Sequence, residues 1–253
     1  MVAKNAALTA NTSTKTEIFY PETDDMPLPD GFYQHSHFWE IISVLNYFFR
    51  LRDDVVVAGD IFIYYVEGNP NLRMAPDCFV VFGVSRESFE RNNTYLMWDV
   101  GKSPDFVLEI GSPSTARNDL EDKRELYASL GIGEYWRFDP SGGDHYGEPL
   151  VGETLVDGEY HALEMVRGAD GSVRGYSATL SLELHWEEGR LLFYDPVEGR
   201  WLANMEEAGV AREAAEAQVE SERSARESAE ARAETAEARA AELEAELQRL
   251  RGE

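Results

Sequence analysis

The spacing of apolar residues changes several times along the chain. A 3.6-residue stripe from His37 to Phe49 predicts a first helix, and the short apolar runs that follow predict strands. These runs read VVVAGDIFIYYV, DCFVVFGV and FVLEI. A second helix is predicted from about Thr115 to Leu130, and the strand-like EYWRF follows it. Alternating positions over residues 146–201 indicate a meander, so the order of elements predicts an α/β fold with a mixed central sheet flanked by helices.

The amino-acid composition divides the chain into three parts. Residues 1–30 are polar and contain three prolines, which predicts a flexible N-terminal arm. Residues 31–204 carry the helices and strands of one domain. Residues 205–253 form a tail of alanine, glutamate and arginine, with 14 Glu and 7 Arg from residue 206 onward. This composition favours a long helix in solvent.

The tail has an incomplete heptad pattern. Its seam positions alternate at spacings of three and four and are Leu250, Leu247, Leu243, Ala240, Ala236, Ala233 and Ala229. On the N-terminal side of Ala229 the apolar pattern ends, because Glu222 and Arg226 occupy the next seam positions. A coiled coil that joins copies of the chain is therefore one interpretation. A single helix stabilised by Glu and Arg four residues apart is the other, and the sequence favours neither.

Composition also bears on the compartment. The chain has 253 residues, of which 43% are hydrophobic, and no apolar run approaches the length of a membrane span. The first residues lack the apolar segment of a secretory signal, and Cys78 is the single cysteine. We therefore expect no membrane association, no internal disulfide and a cytoplasmic location.

The net charge of −25 excludes a surface covered with phosphate-binding lysine and arginine. Nucleic-acid chemistry on such a protein requires a divalent cation, a locally basic groove or a partner that brings the substrate.

Two acidic residues stand where strands are predicted. Asp77 opens the run DCFVVF, and Glu109 lies between Leu108 and Ile110 in FVLEI. A buried carboxylate in a strand is costly unless it is paired or binds a metal ion. Neighbouring strands could place Asp77 beside Glu109. Asp105 is the competing acid, but four residues along one strand separate it from Glu109 by about 13 Å, too far to share one ion.

Lys123 is one of only four lysines, and it falls in an apolar helical stripe. The stripe consists of Ala116, Leu120, Lys123, Tyr127 and Leu130, while Asp119, Glu121, Asp122, Arg124 and Glu125 are expected to face solvent. The lysine would then point its ammonium group back at Glu109. The alternative is that it reaches past the sheet edge to water or forms a structural ion pair.

These residues carry a resemblance to a known family. The segments PDCFVV and PDFVLEIGSPSTARNDLEDKRELYASLGIGEYWRFDP resemble the Uma-two family of the restriction-endonuclease-like PD-(D/E)XK superfamily, over about residues 30–200. The family's Asp, Glu, Lys and Tyr fall on Asp77, Glu109, Lys123 and Tyr127. The superfamily's E-x-K pattern is broken by Gly111. The resemblance implies that Lys123 has taken over the lysine's role from the helix.

The resemblance implies a restriction-endonuclease-like fold and metal-dependent hydrolysis of phosphodiester bonds in nucleic acid, with DNA expected first and RNA left open. Mg²⁺, or Mn²⁺ in its place, is expected at Asp77, Glu109 and the Ile110 carbonyl. Lys123 would then assist the water or the transition state.

Three further residues are candidates for accessory roles. Glu40 lies on the polar side of the first helix, where it could supply a further acid. Ser112 and Ser114 precede the second helix, where they could line the site or cap the helix. The rival function comes from another class, a catalytically silent scaffold with the same fold that oligomerises or binds a partner through its tail.

Overall fold

The protein is described by a computed structural model, which covers residues 19–20, 32–86 and 94–252. The helices are α1 (Phe32–Phe48), α2 (Met97–Val100), α3 (Ala116–Leu120), α4 (Asp122–Ser129) and α5 (Met205–Arg251). The strands are β1 (Val55–Ala58), β2 (Ile63–Tyr64), β3 (Arg73–Met74), β4 (Cys78–Phe82), β5 (Tyr95–Leu96), β6 (Phe106–Ile110), β7 (Glu134–Phe138), β8 (Leu150–Val156), β9 (Glu159–Ala162), β10 (Met165–Arg167), β11 (Val173–Ser177), β12 (Leu182–Glu187), β13 (Arg190–Asp195) and β14 (Arg200–Trp201).

A six-stranded mixed sheet forms the centre of the fold, in the order β1-β4-β6-β7-β8-β9. The β6 and β7 strands are parallel, and the other neighbours are antiparallel. Parallel neighbours require a crossover connection, which here contains α3 and α4. The predicted mixed sheet with flanking helices is confirmed. Strands β10 to β14 form a separate antiparallel meander, so the meander predicted over residues 146–201 is confirmed only from Met165 onward. Strands β8 and β9, at the start of that range, extend the central sheet instead.

Both faces of the central sheet are covered, so every residue of β6 is buried. Helix α1 and the meander cover one face, and their core includes Ile41, Leu45, Val80, Leu108, Phe138, Leu184 and Phe193. The opposite face packs against α4 and the three-stranded sheet β3-β2-β5, with a core that includes Ile63, Phe79, Tyr95, Val107, Tyr127 and Tyr135. A polar side chain in the middle of β6 is therefore shielded from bulk water.

The structure corrects two sequence predictions. The helix expected over residues 115–130 is broken at Glu121, whose backbone (φ −110°, ψ −84°) leaves the helical region, so α3 and α4 do not share one continuous stripe. The run VVVAGDIFIYYV contributes to two sheets, because the chain turns at Asp60 (φ 52°) between β1 and β2. The arm predicted for residues 1–30 lies outside the described residues apart from residues 19–20.

The tail forms one 47-residue helix, α5. Asn204 and Glu207 start it with a capping box, in which each side chain bonds the other residue's main-chain N–H. Ion pairs four residues apart follow its length and are Arg212–Glu216, Arg223–Glu227 and Arg226–Glu230. The chain divides into two compact units between Leu202 and Ala203. Within the described residues no helix is both long enough and apolar enough to cross a membrane.

Candidate active site

The register of two antiparallel strands brings the two predicted acids together. Cys78 of β4 lies opposite Leu108 of β6, so Asp77 lies opposite Glu109 one position further on. The Ile110 N–H donates to Asp77 Oδ2 at 2.7 Å, and the Asp77 N–H points at Glu109 Oε2 at 3.4 Å. The strand argument therefore placed this pair of acids correctly.

The main chain at Asp77 packs directly against the main chain at Gly59, and only a glycine leaves room for this contact. A Cβ atom on Gly59 would stand 1.9 Å from the Asp77 carbonyl oxygen, which no side chain can accommodate. The neighbouring Asp60 N–H donates to the Pro76 carbonyl at 3.0 Å and fixes the approach. A glycine at residue 59 is thus a condition for the position of the first acid.

Helix α4 supplies two groups that contact the Glu109 carboxylate. The Lys123 Nζ atom lies 2.9 Å from Glu109 Oε2, and the Tyr127 hydroxyl donates to Glu109 Oε1 at 2.5 Å. Both residues face the sheet, because they are four positions apart on one side of the helix. The Lys123 side chain is 17% exposed, which favours the inward orientation over the route to water.

Asp119 is a residue of this cluster that the sequence prediction placed wrongly on the solvent side. It is fully buried, and its Oδ1 atom lies 2.8 Å from Lys123 Nζ. Leu120, expected to face the sheet, is 39% exposed instead. The break at Glu121 shifts the buried face of α3 by one residue, which explains both errors. The sequence feature that could have identified Asp119 is its position four residues before Lys123, since side chains at this spacing lie on the same side of a helix.

Tyr146 is a further member that the sequence analysis did not identify. Its hydroxyl donates to Asp119 Oδ2 at 2.7 Å, and its side chain is buried. The residue lies in the loop between β7 and β8, which has no periodic pattern.

Arg124, also expected to face solvent, anchors α4 to the sheet. Its guanidinium group contacts Glu153 Oε1 on β8 at 2.8 Å and donates to the Tyr160 carbonyl at 3.0 Å. Arg137 of β7 reaches the other oxygen of Glu153 at 2.8 Å. Glu153 therefore links two arginines and fixes the helix that carries Lys123.

The accessory candidates lie in different surroundings. Ser112 is buried, and its hydroxyl contacts the hydroxyls of Ser114 (3.0 Å) and Thr115 (2.9 Å) in the loop after β6. Ser114 is exposed. Glu40 pairs with Arg190 of β13.

Asp105, the rejected acid, lies at the other end of β6. It pairs with Lys102 at 2.8 Å and accepts the Phe82 N–H at 2.7 Å. It is therefore engaged in a separate ion pair.

The electrostatics of the acid pair are unfavourable without a cation. Burial raises the pKa of Asp77 well above its ordinary range, and the negative charge of Glu109 raises it further. Burial also raises the Glu109 pKa, although Lys123 and the Tyr127 hydroxyl act in the opposite direction. For Lys123, burial lowers the pKa, but the charges of Glu109 and Asp119 outweigh it and leave a net rise. The lysine therefore stays charged at neutral pH.

The donor set fits a hard divalent cation. Two carboxylates in contact are all-oxygen ligands, and Mg²⁺ sites often use one or two carboxylates and complete the shell with water and substrate phosphate. A cation between Asp77 and Glu109 would relieve the repulsion that raises the Asp77 pKa. No group of three or more His, Cys, Asp or Glu side chains suited to a metal ion occurs among the described residues.

Comparison with known proteins identifies a family and a similar solved structure. The model of the Uma2 family, described as "Putative restriction endonuclease", matches residues 5–180, more than half of the chain. The solved structure is a "putative nuclease belonging to DUF820" from Anabaena variabilis, with 18% identity and a TM-score of 0.39 over 56% of this chain and 74% of that one. No curated protein matches the chain.

The acid pair predicts a pH dependence of stability. Since the Asp77 pKa is raised above its ordinary 3.8, the folded state binds the proton more tightly than the unfolded state. The stabilising contribution of Asp77 to the free energy of unfolding is complete below pH 3.8, and it is lost as the pH rises through the raised pKa. In EDTA, the unfolding free energy of Asp77→Asn should therefore fall less than that of the wild type between about pH 4 and pH 8. Urea denaturation checks this, with exposed Asp53→Asn as the control, and parallel wild-type and Asp77→Asn curves would contradict it.

Proposed function

The chain belongs to the Uma2 family, and we propose that residues 31–204 form a metal-dependent endonuclease domain that hydrolyses phosphodiester bonds in nucleic acid. The observation that carries the proposal is the contact of Asp77, Glu109 and Lys123 in one cluster around the buried Glu109 carboxylate. Two carboxylates and an ammonium group supply cation ligands and a fixed positive charge at one point.

The cation would be held by Asp77, Glu109 and the main-chain carbonyl of Ile110. The Ile110 N–H faces Asp77, and the carbonyl of a strand residue leaves by the same edge as its N–H. Mg²⁺, or Mn²⁺ in its place, supplies Lewis-acid chemistry when bound, lowering the pKa of water and offsetting charge on the phosphate.

The protein's own groups orient the reaction. Lys123 Nζ, held 2.9 Å from Glu109, is placed to orient the attacking water or to offset charge that develops on the phosphate. The Tyr127 hydroxyl fixes the rotamer of Glu109 through Oε1, which leaves the other carboxylate oxygen toward Lys123. Burial strengthens these electrostatic contacts, because little water screens them. Ser112 and Ser114, in the loop after β6, are the proposed accessory residues nearest in sequence to Glu109.

We take DNA as the first substrate to test, since the family is described as restriction endonucleases. A net charge of −25 argues against binding through a broad basic surface, so substrate affinity should depend strongly on the divalent cation.

We further propose that residues 205–253 join copies of the chain through a coiled coil. Leu243, Leu247 and Leu250 lie on one seam of α5, and each is more than half exposed. Burying these leucines against a second helix would remove apolar surface from water.

Deletion of residues 206–253 should leave a folded, cation-binding domain and remove self-association. From Gly209 to Gly252 every side chain of the tail is exposed, so its loss takes nothing from the core. Circular dichroism and sedimentation test both parts, and a deletion from residue 199, which also removes β14, is the destabilised control. An equal mass for full-length and truncated protein would contradict the coiled coil, and an unfolded truncation would contradict the domain boundary.

Asp77→Asn and Glu109→Gln should each reduce cleavage to background and weaken Mg²⁺ binding, because each removes a charged ligand. Asp105→Asn is the matched control and should remain active, since Asp105 is engaged with Lys102. Cleavage assays on DNA and RNA and calorimetric Mg²⁺ titration are the measurements. Equal loss in all three variants would contradict the assignment. A wild type that neither cuts nor binds the cation would instead support the scaffold function.

Lys123→Met should lose activity by about 100-fold or more, because it removes the fixed charge at the reacting phosphate. It should also lower stability by about 3–5 kcal/mol, since Glu109 and Asp119 remain buried without their cation. The control is Lys102→Met, which breaks a more exposed lysine–carboxylate pair with Asp105 away from the cluster and should cost less stability. Assays run below the melting temperature of every variant separate the two effects, and full activity in Lys123→Met would remove this residue from the mechanism.

A further inference from the structure

We propose that Asp119 and Tyr146 are positioning residues that hold the Lys123 ammonium group against Glu109, and that residue 111 is a glycine because the Tyr146 ring occupies its side-chain space. This inference rests on the proposed nuclease function, in which Lys123 acts at the phosphate. It concerns two residues that the Asp77, Glu109 and Lys123 pattern does not include.

The ammonium group of Lys123 is held between two carboxylates. Glu109 Oε2 lies 2.9 Å from Nζ on one side, and Asp119 Oδ1 lies 2.8 Å from it on the other. A lysine side chain has four flexible bonds, so a single partner fixes its head group weakly. The second carboxylate restricts the ammonium group to one place beside Glu109.

Asp119 is itself oriented by Tyr146. The Tyr146 hydroxyl donates to Asp119 Oδ2 at 2.7 Å, and this leaves Oδ1 for the lysine. Both oxygens of this buried carboxylate thus have neighbours within the cluster. Asp119 is therefore assigned to holding Lys123.

The loop that carries Tyr146 is fixed at the end of β7. Asp139 Oδ2 accepts the main-chain N–H groups of His145 at 2.7 Å and Tyr146 at 3.2 Å. The Gly147 N–H closes the turn on the Gly143 carbonyl at 2.8 Å. These contacts set the direction from which the tyrosine ring enters the cluster.

Gly111 provides the space for that ring. A Cβ atom on residue 111 would lie 3.0 Å from Cε2 and 3.3 Å from Cδ2 of Tyr146. Even the methyl group of an alanine there requires the tyrosine ring to shift by a few tenths of an ångström. This is the position that the lysine of an E-x-K pattern would occupy, two residues after Glu109. In this chain Tyr146 fills the space, and the lysine arrives from α4 instead.

The test records the NMR signal of the Lys123 ammonium group in protein free of divalent cations. With only four lysines in the chain, ¹⁵N-lysine labelling gives few ammonium signals, and Lys123→Met identifies the relevant one. Tyr146→Phe, which keeps the ring, and Gly111→Ala, which displaces it, should each shift or broaden the Lys123 signal. The Lys102 signal should not change, because that lysine pairs with Asp105.

Kinetics provide the second measurement. Tyr146→Phe should lower kcat by about 10-fold with little change in KM, as expected when a group that orients a catalytic residue is lost. Asp119→Asn should do the same, and the double variant should be no worse than Asp119→Asn alone, because both act through one contact. Tyr160→Phe is the matched control, since it removes another buried hydroxyl, bonded to the Ile132 carbonyl.

The outcomes separate this inference from the proposed function. An unchanged Lys123 signal in Tyr146→Phe and Gly111→Ala overturns the positioning role, whatever the activity. Additive kinetic losses, or an equal loss in Tyr160→Phe, overturn it as well. If the wild type shows no cleavage, the proposed function fails while the ammonium signals still decide whether Tyr146 and Asp119 hold the lysine.

Discussion

The burial of one negative charge governs the arrangement of this fold. Glu109 has no exposed surface and lies in a strand whose five residues are all buried. A carboxylate in such a place costs several kcal/mol unless its neighbours compensate it. The compensation comes from elements far apart in sequence, namely the ammonium group of Lys123, the hydroxyl of Tyr127 and the main chain at Asp77. The positions of α4 and of the start of β4 are therefore tied to this one side chain.

The same constraint reconciles an acidic protein with the proposed chemistry on a polyanion. The net charge of −25 is spread over the whole chain, whereas one of its four lysines is buried beside Glu109. The field at a reacting phosphate depends on the nearest unscreened charges more than on the total charge. A cation held by Asp77 and Glu109 would add positive charge at that point. The surface can then remain acidic and favour solubility.

The sequence predicted the parts of the site that depend on local periodicity. The apolar runs that form β4 and β6 were enough to place Asp77 beside Glu109, and the helical stripe was enough to turn Lys123 inward. Asp119 was misplaced because the backbone at Glu121 interrupts the helix, and single-residue backbone changes leave little trace in hydrophobic spacing. Tyr146 was missed because it reaches the site from an irregular loop, 27 residues after Asp119. The mixed sheet followed from short apolar runs and the meander from a period-two pattern, but the packing of one on the other followed from neither.

A lysine on a helix depends on tertiary packing in a way that a lysine on the strand would not. In an E-x-K arrangement the backbone of one strand fixes both the acid and the lysine. Here Lys123 is placed by the docking of α4, which depends on Arg124 and Glu153, and by the carboxylate of Asp119. The Tyr135 hydroxyl adds a further tie by donating to the Asp119 carbonyl at 2.9 Å. The polar network beneath α3 and α4 thus restricts a flexible lysine side chain that no strand backbone holds, because each added contact removes part of its freedom.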